Sequence, residues 1–135
     1  SKAYAKLSSR LVANQDHEKI SQMFVDYFTR IAPPYIKVKV TALHGGEAYL
    51  CPLNLDAYRA AEEAYKRAFG KRPLAVRSGG SIPIIPAFER ILGIKSVLMG
   101  FGLSTNAIHS PNENFPLDIY WKGIETVAEF YHCYR

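Results

Sequence analysis

Arg77-Ser78-Gly79-Gly80-Ser81-Ile82-Pro83 opens the stretch on which the fold reading turns. An apolar, helix-like run follows, then the strand-like Ser96-Val97-Leu98-Met99-Gly100. The stretch ends in a turn-rich loop, Asn106-Ala107-Ile108-His109-Ser110-Pro111-Asn112-Glu113. A strand, a glycine turn and a helix N-terminus are the parts from which α/β proteins build anion sites at the carboxyl ends of strands. Successive backbone N–H groups at Gly79 and Gly80, with the Ser81 hydroxyl, suit a carboxylate or phosphate; such a turn can equally be a plain helix cap. His109 sits in a polar loop just past a strand. It is a candidate metal ligand or acid–base group, or else a hydrogen-bonded loop histidine. Glu113 is placed either to orient that imidazole or to cap the last helix.

Working outward, Asn54 or Asp56 caps a helix that runs through Ala57, Ala61, Ala64, Tyr65 and Ala68 to Phe69, and Gly70 ends it. Its alanine face implies close packing. Leu74-Ala75-Val76 reads as a short buried strand. Ser81 then caps a helix from Ile82 to Leu92, with Pro83 harmless in the first turn and Pro86 deep enough to kink it or leave that turn irregular. The apolar segment 94–99 fits a strand inside a parallel sheet. The terminal helix starts near Pro116 and runs to about Tyr134. Leu117, Tyr120, Trp121, Ile124, Val127, Ala128 and Tyr131 form its expected buried stripe. Helix, strand, helix, strand, helix is half of a doubly wound α/β domain.

The first 50 residues read differently. Segment 3–12 alternates as a strand, with Arg10 leaving its core face. Arg10 is a solvated surface arginine or a guanidinium fork for a carboxylate. Caps at 14–16 precede an amphipathic helix carrying Ile20, Met23, Phe24, Tyr27, Phe28 and Ile31, a core or interface stripe that Pro33-Pro34 ends. Segment 36–43 alternates again, His44-Gly45-Gly46 turns the chain, and 48–50 is a second short strand. Strand, helix and strand suggest half of an α+β sandwich. His44 is a turn residue whose glycine neighbours would let a ligand approach closely. His17 and His132 are expected to face solvent from helices.

With 135 residues, 48% of them hydrophobic and 21% charged, the chain is globular in class. Its net charge of +5 comes from 17 basic residues set against 12 acidic ones, scattered rather than clustered, which argues against nucleic-acid binding. Cys51 and Cys133 form no CxxC pair, so they read as reduced structural thiols of a cytoplasmic protein. No apolar run reaches the roughly 18 residues of a membrane span, and no membrane association is expected. Zinc-protease, Walker and nucleophile-elbow motifs are missing. One histidine cannot hold a catalytic zinc, which takes three protein ligands.

Ser9-Arg10-Leu11-Val12-Ala13-Asn14, His44-Gly45-Gly46, Gly79-Gly80-Ser81-Ile82-Pro83, Leu98-Met99-Gly100-Phe101-Gly102 and Ala107-Ile108-His109-Ser110-Pro111-Asn112-Glu113 occur in the order and spacing that resemble the C-terminal portion of the dinuclear zinc exopeptidases. That family includes cytosolic dipeptidase, carnosinase, glutamate carboxypeptidase and acetylornithine deacetylase, and the dipeptidase branch matches best. The resemblance implies residues 1–50 as the second half of an α+β, ferredoxin-like lid and dimerisation domain. It implies residues 51–135 as the C-terminal part of the α/β catalytic domain. His109 would be a metal ligand; Arg10, His44, Gly80 and Ser81 would bind substrate. The full enzyme would use two divalent metal ions, zinc or else manganese or cobalt, on a small peptide or N-acyl amino acid, and would be a homodimer through its lid. The family's other ligands and its general base have no counterpart here, so no catalytic residue is expected in this chain, nor tight metal binding or activity by the chain alone. The alternative is a non-catalytic dimerisation or anion-binding module.

Overall fold

The computed structural model of the chain describes residues 1–77 and 82–135. The Gly79-Gly80-Ser81 turn, with its expected anion site and the Ser81 cap, lies outside the described residues. The elements are α1 (His17–Ile31), α2 (Asp56–Phe69), α3 (Ile84–Leu92), a 3-10 turn η1 (Ser104–Asn106) and α4 (Leu117–Cys133). The chain divides into two units. One comprises Ser1–Leu50 and Arg77–Ile94, the other Cys51–Val76 and Lys95–Arg135, so α3 groups with α1, and α2 with α4.

The strands expected at 3–12, 36–43, 48–50, 74–76 and 94–99 are not formed; no strand occurs among the described residues. Alternation shows that a segment could offer one face to a core. A strand exists only when a neighbour takes up its N–H and C=O groups. Here many of the apolar side chains stay in solvent, with Leu7 64% exposed, Leu74 88% and Val76 81%, while Leu11, Val40, Tyr49, Val97 and Met99 are only half-buried. Neither a doubly wound sheet nor a ferredoxin-like sheet is therefore present among the described residues.

The helices obey their local signals more closely. Asp16 caps α1 by accepting from the N–H groups of Glu18 and Lys19, and Ala32 leaves the helix in an extended conformation ahead of Pro33. α2 is capped at Leu55 without a side-chain bond, which corrects the expected Asn54 or Asp56 cap; Asp56 is its first helical residue. Gly70 ends it at φ 74, in the left-handed region glycine adopts freely. α3 begins only after Pro83, so Pro86 is its third residue. There an N–H has no partner inside the helix, and its absence costs little.

The firmest packing joins α2 to α4 within the second unit. Ala60, Ala61, Ala64 and Ala68 are buried on α2, and Gly123 and Thr126 on α4. Residues this small at i, i+4 and i+8 let two helix backbones approach closely. The Thr126 hydroxyl donates to the Lys122 carbonyl at 2.6 Å, satisfying a buried polar group within its own helix. Arg67 reaches Glu129 at 2.9 Å across the pair; both side chains are partly exposed, so the bridge adds little. The apolar stripe expected to bury α4 does not make this seam: Leu117, Tyr120, Trp121, Ile124, Val127 and Tyr131 are exposed. Close approach selects small residues, and α4 presents them on a different face from its large ones. On α1, Met23, Phe24, Tyr27 and Ile31 are likewise exposed.

Candidate functional site

The loop carrying His109 is built around Asn106, the last residue of η1, whose side chain is 1% exposed. Its Oδ1 accepts from the Leu103 N–H. Its backbone carbonyl accepts from the Asn114 N–H at 3.0 Å, and its Nδ2 donates to Asn114 Oδ1 at 3.5 Å. Both ends of the loop are thereby held at one buried amide. Inside it, the Ser110 N–H donates to the Ala107 carbonyl at 2.8 Å and the Glu113 N–H to the Ser110 carbonyl at 3.2 Å. Asn114 Nδ2 closes on the Asn112 carbonyl at 3.1 Å.

Three non-glycine residues in this loop take positive φ: Ala107 at 51°, His109 at 62° and Asn112 at 64°. Such conformations carry a steric cost for residues with a Cβ, and they persist only where surrounding bonds impose them. Behind His109, the Ile108 side chain folds over Gly102, where a Cβ would lie 2.9 Å from Ile108 Cδ1. The outcome is a fastened loop presenting an exposed imidazole. Glu113 does not cap α4, whose N-cap is Pro116 with no side-chain bond.

His44 lies in the other unit and is also exposed. Its turn is held by close packing. A Cβ at Gly45 would lie 3.0 Å from His17 Nδ1, and one at Gly46 would lie 2.9 Å from Pro83 Cβ. His17 is thus half-buried against the turn and not solvent-facing as its helical position implied. The sequence carried a signal for this, since a pair of glycines after a histidine marks a close approach. It did not say what approaches. Arg10 shares this unit and is exposed, on a segment that forms no strand. Gly80 and Ser81 fall outside the described residues.

Other groups shift through packing. Burial raises the Tyr65 phenol above its ordinary value; its hydroxyl donates to the Gly100 carbonyl at 2.8 Å, and its ring stacks on Phe101 at 5.3 Å. Burial likewise raises the Cys51 thiol, consistent with an unreactive structural cysteine. Among the described residues no three His, Cys, Asp or Glu side chains gather closely enough to hold a metal ion. The donors among the described residues therefore do not make up the three protein ligands of a catalytic zinc, and the exposed His109 imidazole belongs to no such group. No helix among the described residues is long and apolar enough to cross a membrane.

Residues 4–132 match the model of the peptidase family M20/M25/M40. The chain is 28% identical to the Cys-Gly metallodipeptidase dug1 of Schizosaccharomyces pombe over 97% of its own length and 28% of that protein's. It is 27% identical to the human Beta-Ala-His dipeptidase over 93% of its length and 25% of that enzyme's. The solved structure of the di-peptidase Dug1p from Saccharomyces cerevisiae superposes with a TM-score of 0.83 at 23% identity, covering 98% of this chain and 31% of that one. The chain thus spans less than a third of the length of these relatives, and its backbone follows part of the Dug1p fold.

Proposed function

Because this chain belongs to the peptidase family M20/M25/M40, we propose that it is part of a metal-dependent exopeptidase that hydrolyses dipeptides, small peptides or N-acyl amino acids. The observation that carries the reading is the family match along residues 4–132. The His109 loop supports it: a bond-fastened loop with a left-handed backbone and an exposed imidazole is costly to keep without a use. In this reading His109 is one ligand to a pair of divalent metal ions, zinc or else manganese or cobalt, whose other ligands and general base are not in this chain. Arg10 and His44 meet the substrate's carboxylate and the neighbourhood of its scissile carbonyl, and Gly80 and Ser81 also bind the substrate. A guanidinium fork suits a terminal carboxylate, and so does an N–H-rich glycine turn. Residues 1–50 belong to a lid and 51–135 to the catalytic domain. The exposed apolar stripe of α1 supports homodimerisation through that lid.

The test is hydrolysis of Cys-Gly and β-Ala-His with added zinc or manganese. It compares the native protein that carries this chain, its His109→Ala variant and the 135-residue chain alone. The native protein is expected to be active, with activity falling at least ~100-fold on loss of the His109 ligand; the chain alone is expected to be inactive. Full activity in His109→Ala removes the metal role. Turnover or tight zinc binding by the chain alone would reveal a complete site within it. Inactivity of the native protein on every such substrate, with dimerisation intact, leaves the non-catalytic dimerisation module as the reading.

A further inference from the structure

We propose that the His44 turn is positioned by a two-sided clamp, His17 on one flank and Pro83 on the other, and that Gly45 and Gly46 are positioning residues because an added Cβ would crowd His17 at the first and collide with Pro83 at the second. This rests on the proposed reading that His44 meets substrate. Neither glycine takes a positive φ; among the described residues the positive-φ glycines are Gly70 and Gly93. Backbone freedom, the usual reason for a glycine pair, is not what the turn requires. Space is what it requires. A Cβ on Gly46 would lie 2.9 Å from Pro83 Cβ, 3.3 Å from Pro83 Cα and 3.4 Å from Pro83 Cγ, and two of these atoms sit on or next to rigid backbone. A Cβ on Gly45 would lie 3.0 Å from His17 Nδ1 and 3.4 Å from its Cγ.

Both flanking residues are themselves held. His17 is the first residue of α1, directly after the Asp16 cap, and Pro83 is the N-cap of α3. Two helix N-termini of one unit thus converge on the turn and fix where His44 emerges. The proline ring has no rotamer to yield with, so the Pro83 flank is the stiffer of the two.

Displacing a substrate-positioning group by about 1 Å can cost up to ~100-fold in rate. The experiment measures kcat and KM for a dipeptide in the native protein carrying this chain. It uses Gly46→Ala, Pro83→Gly, His44→Ala, and the doubles Gly46→Ala/Pro83→Gly and Gly46→Ala/His44→Ala, with thermal midpoints recorded for each. Gly46→Ala is expected to lower kcat/KM by about 10- to 100-fold. Moving the missing Cβ to the other side, in Gly46→Ala/Pro83→Gly, is expected to restore most of it. In the His44→Ala background, Gly46→Ala is expected to do nothing further, as for a residue that acts only through His44. If Gly46→Ala does not fold, Gly45→Ala carries the same comparison, because it meets only the His17 side chain. A harmless His44→Ala overturns the substrate reading and this inference with it. A damaging His44→Ala, with Gly46→Ala and Gly45→Ala harmless or fully additive to it, overturns the clamp and leaves the substrate reading standing.

Discussion

The His109 loop and the His44 turn present the same kind of side chain in opposite ways. The loop is fastened by hydrogen bonds that converge on buried Asn106, and it holds three non-glycine residues at positive φ. The turn is wedged by contact, and its glycines keep ordinary φ. Hydrogen bonds fix distance and direction and can hold a backbone in a conformation it would otherwise leave. Contact fixes only how near a neighbour can come, with a tolerance of a few tenths of an ångström. The first arrangement therefore breaks when a polar partner is lost, the second when a methyl group is added.

The largest effect is expected at Asn106. Asn106→Ala strands the Leu103 N–H and removes the 3.5 Å side-chain bond to Asn114 Oδ1, at a cost of about 1–3 kcal/mol in urea unfolding. Amide exchange at Leu103 should speed up most, because its acceptor is the lost side chain, while the Asn114 amide keeps its backbone acceptor at residue 106 and exchange around residues 44–46 stays unchanged. Unchanged slow exchange at Leu103 in the variant would show that the Asn106 side chain is not the fastener.

A smaller effect of opposite sign is expected at Ala107, at φ 51. Ala107→Gly relieves the left-handed penalty of a Cβ and should stabilise the loop by up to about 1 kcal/mol, less the extra entropy of the unfolded glycine. Gly46→Ala changes the chain in the reverse direction and should destabilise. If both changes destabilise alike, the contrast between the two segments is lost.

The smallest effect is one of pH, and it touches only the turn's flank. Backbone bonds from Lys19 and then Glu18 hold the Asp16 carboxyl below its ordinary value. A carboxyl lowered by folding contributes stability that is present above its unfolded pKa, about 3.9, and is lost as pH falls through the folded value. Amide exchange at Glu18 and Lys19 should therefore rise, relative to its intrinsic pH dependence, below about pH 4. The Asp16→Ala variant should show that faster exchange at neutral pH and no further change on acidification.

Much of this was legible in the residues, and what was legible shares a range. The Asp16 cap, the stop before Pro33, the glycine end at Gly70 and the alanine seam of α2 all came through, because each is decided within about one helical turn. The motif at residues 107–113 marked the loop that carries His109. Its fastening was not legible: no propensity says that Asn106 buries its amide or that Ala107 turns left-handed. His17 was misplaced for a similar reason, since a helical position says nothing about a turn arriving from residue 45.

The sequence by itself determined where helices lie, to within a residue or two at their ends, and which residues could carry chemistry. Helices close their hydrogen bonds four residues away, inside the segment that is being read. Only the tertiary structure decided the rest. It formed no strand from the alternating segments among the described residues, because a strand needs a partner distant in the chain. It buried the Gly123 and Thr126 face of α4 and left the Trp121 stripe exposed, because the nearest approach goes to the smallest side chains. It also brought Pro83 against Gly46, a contact across more than thirty residues that neither segment's own pattern encodes.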